Sequence, residues 1–183
     1  LLISLPTGGG KSLVTQLLAS VSEGLTVVIV PTIALALDQY HAARHNLTDG
    51  AEIYCYRGEL SEIERSTIIK TLKDKKARIL FTSPEAILKN PELRRILDAA
   101  AENHYLANVV VDEAHVVPDW GVFFRPDFQI FSIVLKKWKR ESDEFIRTFL
   151  LSATLSDDVV DTLFALFGSE GKNVQVRCDA LRQ

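Results

Sequence analysis

Leu5-Pro-Thr-Gly-Gly-Gly-Lys-Ser12 is the stretch on which the reading of this chain turns. It follows an apolar run, Leu1-Leu-Ile-Ser-Leu5, that suits a strand, and it leads straight into a helical pattern. Three successive glycines let backbone N–H groups turn inward without Cβ clashes. The helix behind them presents its unpaired N-terminal N–H groups and positive dipole end to the same point. Thr7, Gly8, Gly9, Gly10, Lys11 and Ser12 therefore read as a cradle for phosphate. Lys11 supplies a point charge for terminal phosphates, and the Ser12 hydroxyl is a ligand for Mg2+.

Outward from that loop, the 183 residues amount to about one domain, and a hydrophobic fraction of 47% supplies a substantial core. The longest apolar stretch, residues 25–37, is interrupted by Pro31 and Thr32 and is too short to span a bilayer, and no signal peptide opens the chain. The expectation is no membrane partner and a cytoplasmic location, nucleoid-associated if the source is bacterial. Cys55 and Cys178 lie far apart without a Cys-x-x-Cys partner, so neither zinc nor a disulfide framework is indicated, and both read as core or near-core thiols. A net charge of −3 excludes coating nucleic acid by bulk electrostatics and leaves only a local contact surface. The absence of methionine and the start inside a strand pattern suggest an excised piece of a longer protein.

Downstream of the loop, strand and helix patterns alternate. Residues 11–22 carry Leu13, Val14, Leu17, Leu18 and Val21 at spacings of three and four, one apolar helical face. Residues 25–30 are β-branched and apolar, as a central parallel strand requires. Then come a helix at 34–46, a strand at 52–56, and a helix at 60–72 opened by a capping box of Ser61 with Glu64. The basic cluster at 73–76 suits a solvated helix end. A strand at 78–81 ends in a loop at 82–85, and Asn90-Pro91 opens a helix reaching residue 102. Strand 107–111, helix 127–139, strand 145–151, helix 156–167 and strand 173–176 complete the pattern. The expected fold is α/β, with a mostly parallel central sheet, helices on both faces, and a ligand outside the C-terminal strand ends.

The polar motifs fall at those ends. Asp112-Glu113 closes the apolar strand 107–111; Asp112 suits Mg2+ and Glu113 can orient and deprotonate an attacking water. His115 is placed to hydrogen-bond across the cleft toward Ser152-Ala-Thr154. His41 and His45 have the i, i+4 spacing of metal ligands, but Ala42 stands where a zinc-protease helix needs Glu, and no third ligand is evident.

Taken together, residues 6–12, Val30-Pro-Thr-Ile-Ala-Leu35 with Asp38-Gln39, Thr82-Ser-Pro-Glu85, Asp112-Glu-Ala-His115 and Ser152-Ala-Thr154 resemble the ordered motifs of the first RecA-like domain of superfamily 2 helicases (DEAD/DEAH-box, P-loop NTPase). Within that superfamily, the segment Asp119-Trp-Gly-Val-Phe-Phe-Arg-Pro-Asp-Phe128 is similar to the aromatic-rich loop of RecQ-type DNA helicases. Leu5 holds the place of the usual first glycine, and Val122-Phe123 replaces a polar pair of the RecQ pattern.

The resemblance implies ATP and Mg2+ as cofactors and Glu113, Asp112, Lys11 and His115 as the catalytic set. It also implies contact with single-stranded or forked DNA through Pro31, Thr32, Ser83, Pro84, Trp120, Phe123, Phe124, Arg125, Ser152 and Thr154. Trp120 and Phe124 offer stacking faces, and Arg125 a phosphate or cation–π contact, whereas Phe128 falls on the apolar face of the next helix with Phe131 and Leu135. Residues 1–177 are expected to be the ATP-binding domain, truncated at its N-terminus, and 178–183 the start of a linker to an absent second RecA-like domain. That second domain would carry the arginine finger, so the isolated fragment is expected to hydrolyse ATP poorly. The expected function is a RecQ-like DNA helicase or translocase motor; the alternative is an ATP-gated nucleic-acid clamp or remodelling subunit that does not unwind.

Overall fold

The computed structural model describes residues 1–6, 8–47, 51–117, 126–169 and 171–177. Among them, seven strands form one sheet: β1 (Leu2–Ser4), β2 (Leu25–Ile29), β3 (Glu52–Cys55), β4 (Ala77–Thr82), β5 (Leu106–Val111), β6 (Arg147–Ser152) and β7 (Gln175–Arg177). Their spatial order is β3-β4-β2-β5-β6-β1-β7, and every pairing is parallel. β2 and β5 lie in the middle and are buried along their whole length, which is why their sequences are unbroken apolar runs rather than alternating ones.

Alternate strand residues feed two cores. On one face, Val27, Ile29, Leu80, Val109 and Val111 pack under α3 (Glu62–Lys73), α4 (Pro84–Lys89), α5 (Pro91–Glu102), α6 (Pro126–Glu141) and α7 (Asp157–Phe167). On the other, Val28, Val30, Phe81, Val110 and Leu151 pack under α1 (Lys11–Val21) and α2 (Ile33–Asn46). Register aligns Ile29 with both Thr82 and Val111, and Ser4 with Ser152, so the strands end together on one edge.

Several local signals have the structure the sequence implies. The Ser61–Glu64 capping box is complete, and it starts α3 at Glu62. Asn90 caps α5 by accepting from Leu93 N at 2.9 Å. Phe128, Phe131 and Leu135 are buried, as is Cys55; Cys178 lies outside the described residues. Lys73, at the basic end of α3, is solvated and pairs with Glu92 at 3.1 Å.

Two expectations are corrected. The apolar residues of α1 do not share a buried face: Leu13, Leu17 and Val21 point to solvent, Val14 and Leu18 are half-buried, and the helix seats itself through Thr15, Gln16 and Ala19. The loop before α1 sets its rotation, and small or amide-bearing residues fit the close approach, with Gln16 accepting from Asn46 of α2 at 3.2 Å. The loop read at 82–85 is instead the start of α4, where Ser83 accepts from Ala86 N at 3.2 Å and Pro84 fills the first helical position. A six-residue helix is too short to show a periodic pattern, so only its cap betrays it.

Asp98 joins α5 to α6. It accepts from Arg94 Nε at 2.8 Å and from Trp138 Nε1, with Lys137 Nζ 3.4 Å away. Burial works to raise its pKa, but the Arg94 and Trp138 hydrogen bonds and the neighbouring positive charges outweigh it and hold the carboxyl below its usual range. A depressed pKa contributes stability that is present above the unfolded value and is lost as pH falls through the folded one. Asp98→Asn should therefore cost about 1–3 kcal/mol at neutral pH. In urea titrations at successive pH values, the gap to wild type should start to close near the unfolded pKa of about 3.9 and vanish below the folded one; a pH-independent gap would refute the assignment.

Candidate nucleotide site

The glycine loop lies at the C-terminal end of β1. Gly10 occupies φ 86°, a left-handed conformation that costs a residue with Cβ, and a Cβ on Gly9 would fall 2.8 Å from Pro6 O. Gly10 is the N-cap of α1; among the described residues no side chain caps this helix, and its first turn holds no acid. The helix thus starts with no side chain on its N-terminal N–H groups among the described residues, an arrangement that suits an anion. Gly8 also has a positive φ, and Ser12 is half-exposed beside Lys11. Thr7 lies outside the described residues.

β5 delivers the acidic pair to the same place. Lys11 Nζ is 3.1 Å from Glu113 Oε1, with the two side chains only 12% and 26% exposed. Glu113 sits at φ 49°, ψ 44°, left-handed backbone that costs a non-glycine residue about 1–3 kcal/mol, a strain typical of functional turns. Asp112 is almost fully buried, and burial raises its pKa. Its Oδ1 accepts from Glu113 N at 2.9 Å, and its Oδ2 accepts from Gln39 Nε2 of α2.

The chain of contacts continues to β6. His115, in the 3-10 turn Ala114–Val116, places Nδ1 3.3 Å from Glu113 Oε2 and 3.1 Å from Ser152 Oγ. Ser152 Oγ donates its proton to Thr154 O at 2.8 Å, and a carboxylate can only accept. Nδ1 must therefore carry the imidazole proton and share it between Glu113 and Ser152. The structure thus brings together Lys11, Asp112, Glu113, His115, Ser152 and Thr154. Thr32 and Ser83 lie apart, at the ends of β2 and β4, as the N-caps of α2 and α4; Pro31 lines the same cavity between them, while Pro84 is buried. Trp120, Phe123, Phe124 and Arg125 lie outside the described residues. His41 packs against Tyr40, and His45 Nδ1 lies 3.2 Å from Asn46 Oδ1.

Gln39 is the residue whose role the sequence did not disclose. It appears in the motif set only as half of Asp38-Gln39, and nothing in its spacing shows that it reaches across to Asp112.

An all-parallel sheet with a glycine loop after β1 and an acidic pair after β5 defines a RecA-like P-loop nucleotide-binding domain. A family model for DEAD/DEAH box helicases matches residues 1–163, and the chain belongs to that family. It is 36% identical over 128 residues to the ATP-dependent DNA helicase RecQ of Synechocystis sp., covering 70% of this chain and 26% of that protein. With the ATP-dependent helicase SGS1 of Saccharomyces cerevisiae it shares 38% identity over 165 residues, 86% of this chain and 11% of that one. The chain thus spans about a quarter or less of the length of these relatives. Among solved structures, the helicase MrfA bound to DNA and AMPPNP superposes with a TM-score of 0.70 at 22% identity, covering 98% of this chain and 24% of that one, a likeness of fold.

Gln39→Leu should strand the buried Asp112 carboxylate and cost about 1–3 kcal/mol in urea denaturation. In a double-mutant cycle, the same change made on Asp112→Asn should cost clearly less; equal costs in both backgrounds would mean that the two side chains do not interact.

Proposed function

We propose that the chain is the ATP-binding motor domain of a RecQ-like DNA helicase or translocase, coupling Mg-ATP hydrolysis to single-stranded DNA binding and duplex unwinding. The observation that carries this reading is the continuous chain Lys11–Glu113–His115–Ser152, which runs from the phosphate loop to the β6 loop. The uncapped N-terminus of α1, Gly8 to Gly10 and Lys11 would hold the ATP phosphates.

Ser12 and Asp112 are hard oxygen donors of the kind Mg2+ selects, and a buried carboxylate of raised proton affinity suits a cation. Bound there, Mg2+ would neutralise charge on the transferring phosphoryl group. Lys11 would exchange its Glu113 partner for the terminal phosphates, leaving Glu113 to orient the attacking water. His115 would carry that change of partner to Ser152 and Thr154. Support for a DNA partner comes from the resemblance of residues 119–128 to the RecQ aromatic loop, with Trp120, Phe123, Phe124 and Arg125 as its contacts, and from the RecQ-type relatives. A second RecA-like domain would complete the ATP site with an arginine finger.

The test uses the full-length protein. Lys11→Ala should abolish nucleotide binding, and Glu113→Gln should bind ATP while turnover falls by a factor of about 100 or more. Full hydrolysis by either variant would sink the assignment. Strand displacement on a forked duplex separates unwinding from ATP-gated clamping, because a clamp hydrolyses ATP with DNA bound but releases no strand.

A further inference from the structure

The buried stripe of α2 is Ala36, Gln39 and Ala43, at helical spacings of three and four. The two alanines leave room for close approach to the sheet. Gln39 breaks the stripe: a buried primary amide costs free energy unless its polar atoms are matched, and the match is Asp112, whose Oδ2 accepts from Gln39 Nε2. An apolar side chain of the same length would fill the same space, so packing alone does not account for a glutamine here.

The carboxylate it meets lacks a counter-ion. Asp112 is 3% exposed, yet among the described residues it forms no ion pair. Lys11 is paired with Glu113 instead. Asp112 is held by two N–H donors that carry no charge, Glu113 N on Oδ1 at 2.9 Å and the Gln39 amide on Oδ2. Buried charges are normally paired or bound to a metal. A carboxylate accepts at about four sites, so two hydrogen bonds leave a lone pair free on each oxygen. The donors thus fix the plane of the carboxyl group while its negative charge stays available.

The residue type decides this. Lys or Arg at position 39 would hold the carboxylate by charge and cancel what a cation needs, Asp or Glu would repel it, and Asn would fall one methylene short. The amide also has a fixed mount. Thr32 caps the start of α2 by accepting from Leu35 N at 3.3 Å, and Asn46, at its end, donates to Gln16 of α1 at 3.2 Å. α2 is thereby fastened to the helix that carries Lys11 and Ser12.

We propose that Gln39 is a positioning residue for the divalent cation of the nucleotide site: its amide, donating to Asp112 Oδ2, holds the carboxylate in the orientation that binds Mg2+ and leaves its charge uncancelled. The proposal rests on the reading above that Asp112 takes the Mg2+ of Mg-ATP. It adds that the affinity for the cation is set in part from α2, outside the phosphate loop and the acidic pair.

The experiment uses the full-length protein with a fluorescent ADP, titrated with Mg2+, and measures bound Mn2+ by electron paramagnetic resonance in the same complex; Mn2+ stands in for Mg2+ because both prefer oxygen ligands. Gln39→Met, which keeps the length and removes the donor, should raise the Mg2+ midpoint and the Mn2+ dissociation constant by about tenfold or more, with nucleotide affinity in a chelator unchanged. Gln39→Lys restores a donor but adds a charge, so it should melt above Gln39→Met while its metal affinity falls at least as far. Were the loss only one of packing, metal affinity would follow melting temperature across the two variants. Wild-type metal affinity in either variant, with the wild type binding Mn2+ and nucleotide normally, would overturn the role of Gln39 and leave the ATP site standing. Should Gln39→Met fail to fold, Gln39→Lys decides alone. Failure of the wild type to bind Mn2+ with the nucleotide would overturn both this role and the Mg-ATP reading.

Discussion

A sheet in which every described strand runs the same way must send each strand's following loop out of one edge, and the site depends on that constraint. The hydrogen-bond ladder continues one residue past several strands: Leu5 N donates to Ser152 O, Val30 N to Thr82 O, and Asp112 N to Ile29 O. Polar residues at these ends are therefore held by backbone as firmly as the core. Because β2 and β5 are buried on both faces, function can be placed only at their ends, where an apolar run gives way to Pro31-Thr32 or Asp112-Glu113.

At that edge, charge is kept by exchange of partners rather than by exposure. Lys11 and Glu113 are largely removed from water, and breaking such a pair without a replacement leaves an uncompensated charge. On the proposed function, a phosphate would replace Glu113 as the partner of Lys11 and free the carboxylate. The left-handed backbone of Glu113 turns its carboxylate back toward the loop, and Asp112 Oδ1 holds that turn through Glu113 N. The two adjacent acids thus differ in setting: Asp112 is buried and held by two hydrogen bonds, whereas Glu113 is partly exposed and paired with Lys11.

What could be read in advance follows from the range of the forces involved. Periodicity, caps and glycine spacing are local, so the strand alternation, the α3 capping box, the Asn90 cap and the glycine turn into α1 were legible. The Asp112-Glu113 pair and the His115 link were legible because each follows an apolar strand whose burial fixes its neighbours. Rotation of α1 was not, since Leu13 and Leu17 obey helical periodicity yet face solvent, and only tertiary packing decides which stripe is covered. Gln39 was hidden for the same reason: its partner lies 73 residues away. Orphaned polar atoms such as Thr82 Oγ1 leave no trace in sequence at all.

The geometry of α2 ties these parts together. Ile33 and Ala36 line the cavity at the ends of β2 and β4, and Gln39, three residues beyond Ala36, holds Asp112 from the same helix. From the Thr32 cap to Gln39 is seven residues, about 10 Å of continuous helix at 1.5 Å per residue. The hydrogen bond from Gln39 is directional and weakens steeply as its angle opens. The carboxylate is gripped from two sides, by its own strand through Glu113 N and by α2 through Gln39. Only the second grip comes from the helix whose first turn lines the cavity at the ends of β2 and β4.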